Sequence, residues 1–307
     1  MKKLLLGAMV VLLTFSALGC GTKATTNTDN STAAKKVNGK KGILVASFGT
    51  SYPDAMKSCI ESTENKVKES FSDYEVRRAF TSNIIIKKLK ERDNMDVDTV
   101  ELALEKMKKN GFSEVIIQPL HIMPGEEYDE VLEMVAKYAK DKSFDKLIVG
   151  RPILYREEDY RIAIDALKNQ MPELKKDEAV ILMGHGSPHP ANSSYSQLQF
   201  MLQESGYKNV YVGTVEGFPL LDNIIPKLKS YGIKKVTLMP FMLVAGDHAN
   251  NDMAGDEDDS WKSILKKNGF EVEIYLHGLG ENKGVQDIYV QHIKDSLDGN
   301  PLMEKKE

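Results

Sequence analysis

The sequence predicts an α/β protein of two similar lobes, each a parallel sheet flanked by helices, with a cleft between them. Eight short apolar runs alternate with helical patterns from about residue 41 onward. Strands separated by helices need crossover connections, which make a sheet parallel. The chain also repeats itself. GILVASFGTS from Gly42 parallels AVILMGHGSP from Ala179, and VIIQPLHIMPGEEYDE from Val115 parallels VTLMPFMLVAGDHANND from Val236. The expected organisation is a first lobe over residues 41–150, a connecting segment over 151–178 and a second lobe over 179–307. A cleft between paired lobes is a favoured place for a large ligand.

Residues 1–20 read as a segment apart from the fold. Lys2 and Lys3 form a basic start, Leu4 to Phe15 an apolar stretch, and Ser16-Ala17-Leu18-Gly19-Cys20 a small-residue end, the pattern of a signal peptide. About twelve apolar residues are too few to span a bilayer comfortably. Gly19-Cys20 resembles the lipobox of bacterial lipoproteins, with Ala17 where leucine is usual. That resemblance implies cleavage before a diacylated Cys20 and an exported protein. Its place would be the outer face of the cytoplasmic membrane or the periplasm, with the lipidated N-terminus meeting the membrane surface. Residues 21–40 are rich in Thr, Asn, Ala, Ser and Lys, cannot bury enough surface to fold, and read as a flexible tether.

The remaining length suits two cores or one large one. With 41 basic and 45 acidic residues the net charge is −4, so neither nucleic acid nor an anionic surface is indicated as a partner of the folded part. Cys20 and Cys59 are the two cysteines. With Cys20 lipidated, Cys59 has no disulfide partner, and beside Met56, Ile60 and Val67 it reads as a small buried hydrophobe.

Strands are expected at Ile43–Ser47, Glu75–Phe80, Glu114–Pro119, Lys146–Val149, Ala179–Met183, Val210–Val215, Lys235–Pro240 and Glu271–Leu276. Helices lie between them. In Val97–Lys109, Val97, Val100, Leu104 and Met107 recur at helical spacing, and Gly111 offers a stop.

In the run AVILMGHGSPHP a buried strand delivers His185 into a turn, with Gly184 and Gly186 leaving its imidazole little steric cover. Ligands of open α/β sheets sit at the carboxyl ends of strands. Glu216 ends the next β-rich run and His248 follows the one after, at intervals of 31 and 32 residues, the length of one βα unit. Two imidazoles and a carboxylate suit a divalent metal. Each also has an ordinary reading: a capping histidine, an exposed carboxylate, a solvated loop. In the internal alignment Phe48 falls opposite His185, and Glu127 opposite His248.

The paired lobes, SFGTS, QPLHIMPGEEYDE, the GHGS turn, Glu216 and GDHANND together resemble the anaerobic cobalt chelatases, the sirohydrochlorin cobaltochelatases of CbiK type, from about Lys41 to about Leu297. They belong to the chelatase superfamily that includes ferrochelatase. The resemblance implies that His185, Glu216 and His248 bind the metal and that His185 is the catalytic base. It implies insertion of Co²⁺, a substrate ion, into a tetrapyrrole of the cobalamin branch, with no organic cofactor. Fe²⁺ and Ni²⁺ suit the same ligands, and three protein ligands leave positions open for water and ring nitrogens. The secretory start departs from the usual cytosolic members. Two function classes follow: a metallochelatase, for cobalt or for iron or nickel, and an extracytoplasmic lipoprotein that binds cobalt or tetrapyrrole without catalysis. A homo-oligomer is compatible with either.

Other features read less specifically. His121 suits a cleft-lining residue or a hydrogen-bonded strand end. Gly49, Thr50 and Ser51 suit substrate carboxylates or ordinary helix capping. Asp256 to Asp259 lack the spacing of a calcium loop and read as the acidic start of the helix containing Trp261. His189, His277 and His292 read as structural.

Overall fold

The computed structural model describes residues 39–302. The signal segment, Cys20 and all but the end of the tether lie outside the described residues.

Among the described residues eight strands form two four-stranded parallel sheets of the same topology. They are β1 (Lys40–Ser47), β2 (Glu75–Phe80), β3 (Phe112–Pro119), β4 (Lys146–Val149), β5 (Glu178–Gly184), β6 (Val210–Thr214), β7 (Lys235–Pro240) and β8 (Glu271–Ile274). Their order is β2-β1-β3-β4 in the first sheet and β6-β5-β7-β8 in the second. In each sheet the chain adds one neighbour on one side and then crosses to the other, which opens a crevice at the carboxyl ends of the central strands.

The strands lie within a few residues of their sequence-based bounds. β1 begins at Lys40, three residues before Ile43, because the aliphatic pattern hides two lysines that fit the strand: the Lys40 ammonium lies 5.6 Å from the centre of the Phe112 ring and that of Lys41 5.4 Å from Tyr74. The expected helix Val97–Lys109 begins at Val100, where the Thr99 side chain accepts from the Leu102 amide and so caps it.

The inner strands β1, β3, β5 and β7 are buried on both faces, hence their near-continuous apolar runs. On one face Ile43, Val45 and Ile116 of the first sheet and Val180, Leu182 and Val212 of the second belong to one shared core, with Tyr289 and Ile293 of the last helix, Lys283–Leu297, among them. The opposite faces have separate cores, around Leu44 and Ile117 in one and Ile181 and Leu238 in the other. Residues 151–178 contain the helix Glu157–Leu167, and the last helix packs on it and on β3.

A buried charged cluster joins these parts. Arg151 donates to Asp159 from Nε at 2.9 Å and from Nη2 at 3.0 Å, and His292 of the last helix donates to the Arg151 carbonyl at 2.9 Å and faces Asp159 at 3.2 Å. Cys59 is a buried free thiol pushed up to about 11, chiefly by burial. Among the described residues no helix is long and apolar enough to cross a membrane.

Candidate metal centre

His185 is the first residue beyond β5. The strand can turn there because both neighbours are glycine. A Cβ on Gly184 would lie 2.2 Å from the ring of buried Tyr195, and one on Gly186 would lie 2.5 Å from the Gly217 amide nitrogen, in a backbone with φ +84°. That close approach zips two loops together: the Glu216 amide donates to the His185 carbonyl at 2.8 Å. Asn192 staples the same loops, accepting from the Ser187 amide at 3.1 Å and donating to the Phe218 carbonyl at 2.7 Å.

His248 arrives from the loop after β7, just before the π-helical turn Ala249–Met253. Asn250 donates to the carbonyls of Ala245 and Gly246, at 3.2 and 2.7 Å, and braces this loop internally. Buried Ala249 and Met253 root it in the core of the second lobe.

The fold therefore brings His185, Glu216 and His248 together, with one ligand atom of each within 4.8 Å of the others. The two imidazoles meet edge to face, centres 4.6 Å apart. Metal–ligand bonds of about 2.1 Å place two ligands no more than about 4.2 Å apart, so small side-chain rotations bring all three onto one ion. The hydrogen bonds already select the nitrogens that would bind. Nδ1 of His185 lies 2.8 Å from the Gly186 carbonyl and Nδ1 of His248 2.7 Å from the Asp252 carboxylate. Both partners accept, so each Nδ1 carries the proton and each Nε2 keeps its lone pair. His185 and Glu216 are exposed and His248 is half-buried, which leaves one side of the site open.

His121 follows β3 in the other lobe. Among the described residues neither ring nitrogen has a hydrogen-bond partner, and burial lowers the imidazole to about 4, with the Glu127 carboxylate pulling the other way. Thr50 and Ser51 are buried, and the Thr50 hydroxyl accepts from the Tyr52 amide at 3.2 Å, a turn ahead of the helical segment that starts at Pro53. His189 accepts from the Ala191 amide and its Nε2 lies 3.2 Å from Asp129 of the first lobe. Where these lobes meet, a cavity of about 410 Å³ is lined by Glu126, Asp129, Glu130, Glu133, Pro188 and His189.

Sequence reasoning missed Asp252, Asn192 and Tyr52. Asp252 stands four residues after His248 on a helical turn, a spacing that could have revealed it. The other two act between loops distant in sequence and leave no local signal.

Residues 41–298 match the model of the family described as cobalt chelatase (CbiK). A sirohydrochlorin cobaltochelatase of Salmonella typhimurium is 42% identical over 258 residues, covering 84% of this chain and 97% of that protein. The sirohydrochlorin cobaltochelatase CbiKC of Nitratidesulfovibrio vulgaris is 38% identical over 255 residues, covering 83% and 89%. Among solved structures, SirB from Bacillus subtilis with Fe³⁺ superposes with a TM-score of 0.60 at 18% identity, over 84% of this chain and 95% of that one. The sirohydrochlorin chelatase SirB of the subspecies spizizenii, in complex with cobalt, gives 0.58 at 16% identity, over 85% and 96%. At those identities the two structures speak for the fold alone. With the family model spanning residues 41–298 and two relatives above a third identity, the chain belongs to the cobalt chelatase (CbiK) family.

Proposed function

We propose that this chain is a sirohydrochlorin cobaltochelatase, a lyase-class metallochelatase that inserts Co²⁺ into sirohydrochlorin in the cobalamin branch and releases two protons. The observation that carries the reading is the convergence of two imidazoles, each with its Nδ1 hydrogen-bonded to an acceptor, and one carboxylate at a site open on one side, in a chain that covers nearly all of a relative named for this reaction.

The residues divide the work simply. His185, Glu216 and His248 hold the substrate ion, with positions left for water and then for ring nitrogens. As the nitrogens replace water, two N–H bonds of the macrocycle must break. His185 accepts a proton at Nε2 once its bond to the ion is released, with the Gly186 carbonyl holding the Nδ1 proton in place. Imidazole and carboxylate ligands also accept Fe²⁺ and Ni²⁺, so the choice of cobalt follows supply as well as geometry.

The competing reading is a carrier that binds cobalt or tetrapyrrole without turnover. Mixing the protein with excess sirohydrochlorin and Co²⁺ and following the absorption spectrum separates them. An enzyme metallates many equivalents; a carrier stops at one.

We also propose that the protein is exported and held at the membrane by a diacylated Cys20, on the strength of the sequence Leu18-Gly19-Cys20 after an apolar segment. Two acyl chains anchor stably where one does not. Cys20→Ala should move the exported protein to the soluble fraction; retention in the membrane fraction would contradict the anchor.

A further inference from the structure

The three candidate ligands are not held alike. His185 and Glu216 are bound to each other through the backbone, inside the second lobe. The loop carrying His248 is gripped from the first lobe. Tyr52 Oη donates to Oδ1 of Asp247, the residue directly before His248, at 3.0 Å. The same oxygen accepts from Asn251 Nδ2 at 3.0 Å, next to the Asp252 that orients the His248 ring.

Tyr52 is itself fixed in its own lobe. Its amide is bound by Thr50, and the carbonyl of buried Ser51 accepts from Arg92 Nη2 at 2.6 Å. The Thr50 hydroxyl also comes within 3.8 Å of the place a Cβ would occupy on Gly246, so the two loops lie close together there. Burial, with the Asp247 carboxylate beside it, pushes the Tyr52 phenol up and keeps its O–H a donor.

We propose that Tyr52 is a positioning residue of the metal centre, reaching across from the first lobe to Asp247 and through it setting where His248 stands. The inference rests on the reading of His185, Glu216 and His248 as a metal site. The segment Gly49-Thr50-Ser51, which the sequence leaves divided between carboxylate binding and helix capping, then has a further role: it mounts Tyr52.

The test is Co²⁺ binding to the full-length protein in the absence of tetrapyrrole, by calorimetry and by the visible d–d absorption of the bound ion. One net hydrogen bond is worth about a twofold to twelvefold change in an equilibrium constant. Tyr52→Phe and Asp247→Ala should each weaken Co²⁺ binding about threefold to tenfold and shift the d–d bands, with thermal stability close to wild type. Asp247→Asn keeps an oxygen for both Tyr52 and Asn251, so it should bind more tightly than Asp247→Ala. Wild-type affinity and spectrum in Tyr52→Phe, or equal losses in Asp247→Asn and Asp247→Ala, would overturn the inference. Wild-type Co²⁺ affinity in His185→Ala would instead overturn the metal site on which it rests.

Discussion

His248 donates a hydrogen bond from Nδ1 to Asp252, 2.7 Å away, and that bond leaves the lone pair on Nε2, in a ring whose neighbours are His185 and Glu216. A carboxylate behind a ligating histidine fixes its tautomer and raises its basicity, and losing such a partner commonly costs about tenfold to a hundredfold in metal affinity. Asp252→Ala should therefore weaken Co²⁺ binding by at least about tenfold in a calorimetric titration. Asp252→Asn retains an accepting oxygen and should lose less.

Gly186 offers a test of the backbone that presents His185. Any other residue there meets both an unfavourable φ of +84° and the Gly217 amide 2.5 Å from its Cβ. Gly186→Ala should destabilise the protein by about 2 kcal/mol or more, measured by urea unfolding. It should also spread His185 from Glu216 and so weaken Co²⁺ binding; an unchanged Co²⁺ affinity would show that the turn does not place the histidine.

His121 gives stability a pH dependence of known sign. Its folded value, about 4, lies below the unfolded value of about 6.5. Between the two, the unfolded chain takes up a proton that the folded one refuses, so its contribution is complete above about pH 6.5 and lost as pH falls to about 4. The loss amounts to at most about 3–4 kcal/mol. Unfolding free energies across this range should fall less steeply in His121→Asn than in the wild type.

The Arg151–Asp159–His292 cluster should behave as a structural unit. Asp159 is fully buried and accepts from Arg151, His292 and the Arg156 amide, and removing it breaks a buried pair and leaves Arg151 to Asp295, 2.8 Å away, at a cost of about 3 kcal/mol. Asp159→Ala should show a loss of that size in denaturant unfolding. A loss below about 1 kcal/mol would mean that Asp295 is enough to compensate Arg151.

The fold was legible because parallel strands buried on both faces write themselves as apolar runs: VIIQP and AVILMG need no tertiary context. The start of β1 was not, since Lys40 and Lys41 join the strand with their ammonium groups over the rings of Phe112 and Tyr74. At the site, His185, Glu216 and His248 stood out because each follows a strand, and strand ends at one sheet edge must meet. What fixes their orientation was hidden. Asp252 works through a helical turn within a loop that reads as merely polar, and Asn192 and Tyr52 act across loops that only the folded chain brings together. His189 showed no partner in the sequence because its neighbour, Asp129, belongs to the other lobe.

The most direct test of the account is the steady-state rate of sirohydrochlorin metallation at saturating Co²⁺ in the wild type and in His185→Ala. If His185 both holds the ion and takes up a ring proton, the wild type turns over many equivalents and the variant falls by at least about a hundredfold, the size expected for a lost general base. A His185→Ala protein that metallates sirohydrochlorin at the wild-type rate would contradict the account.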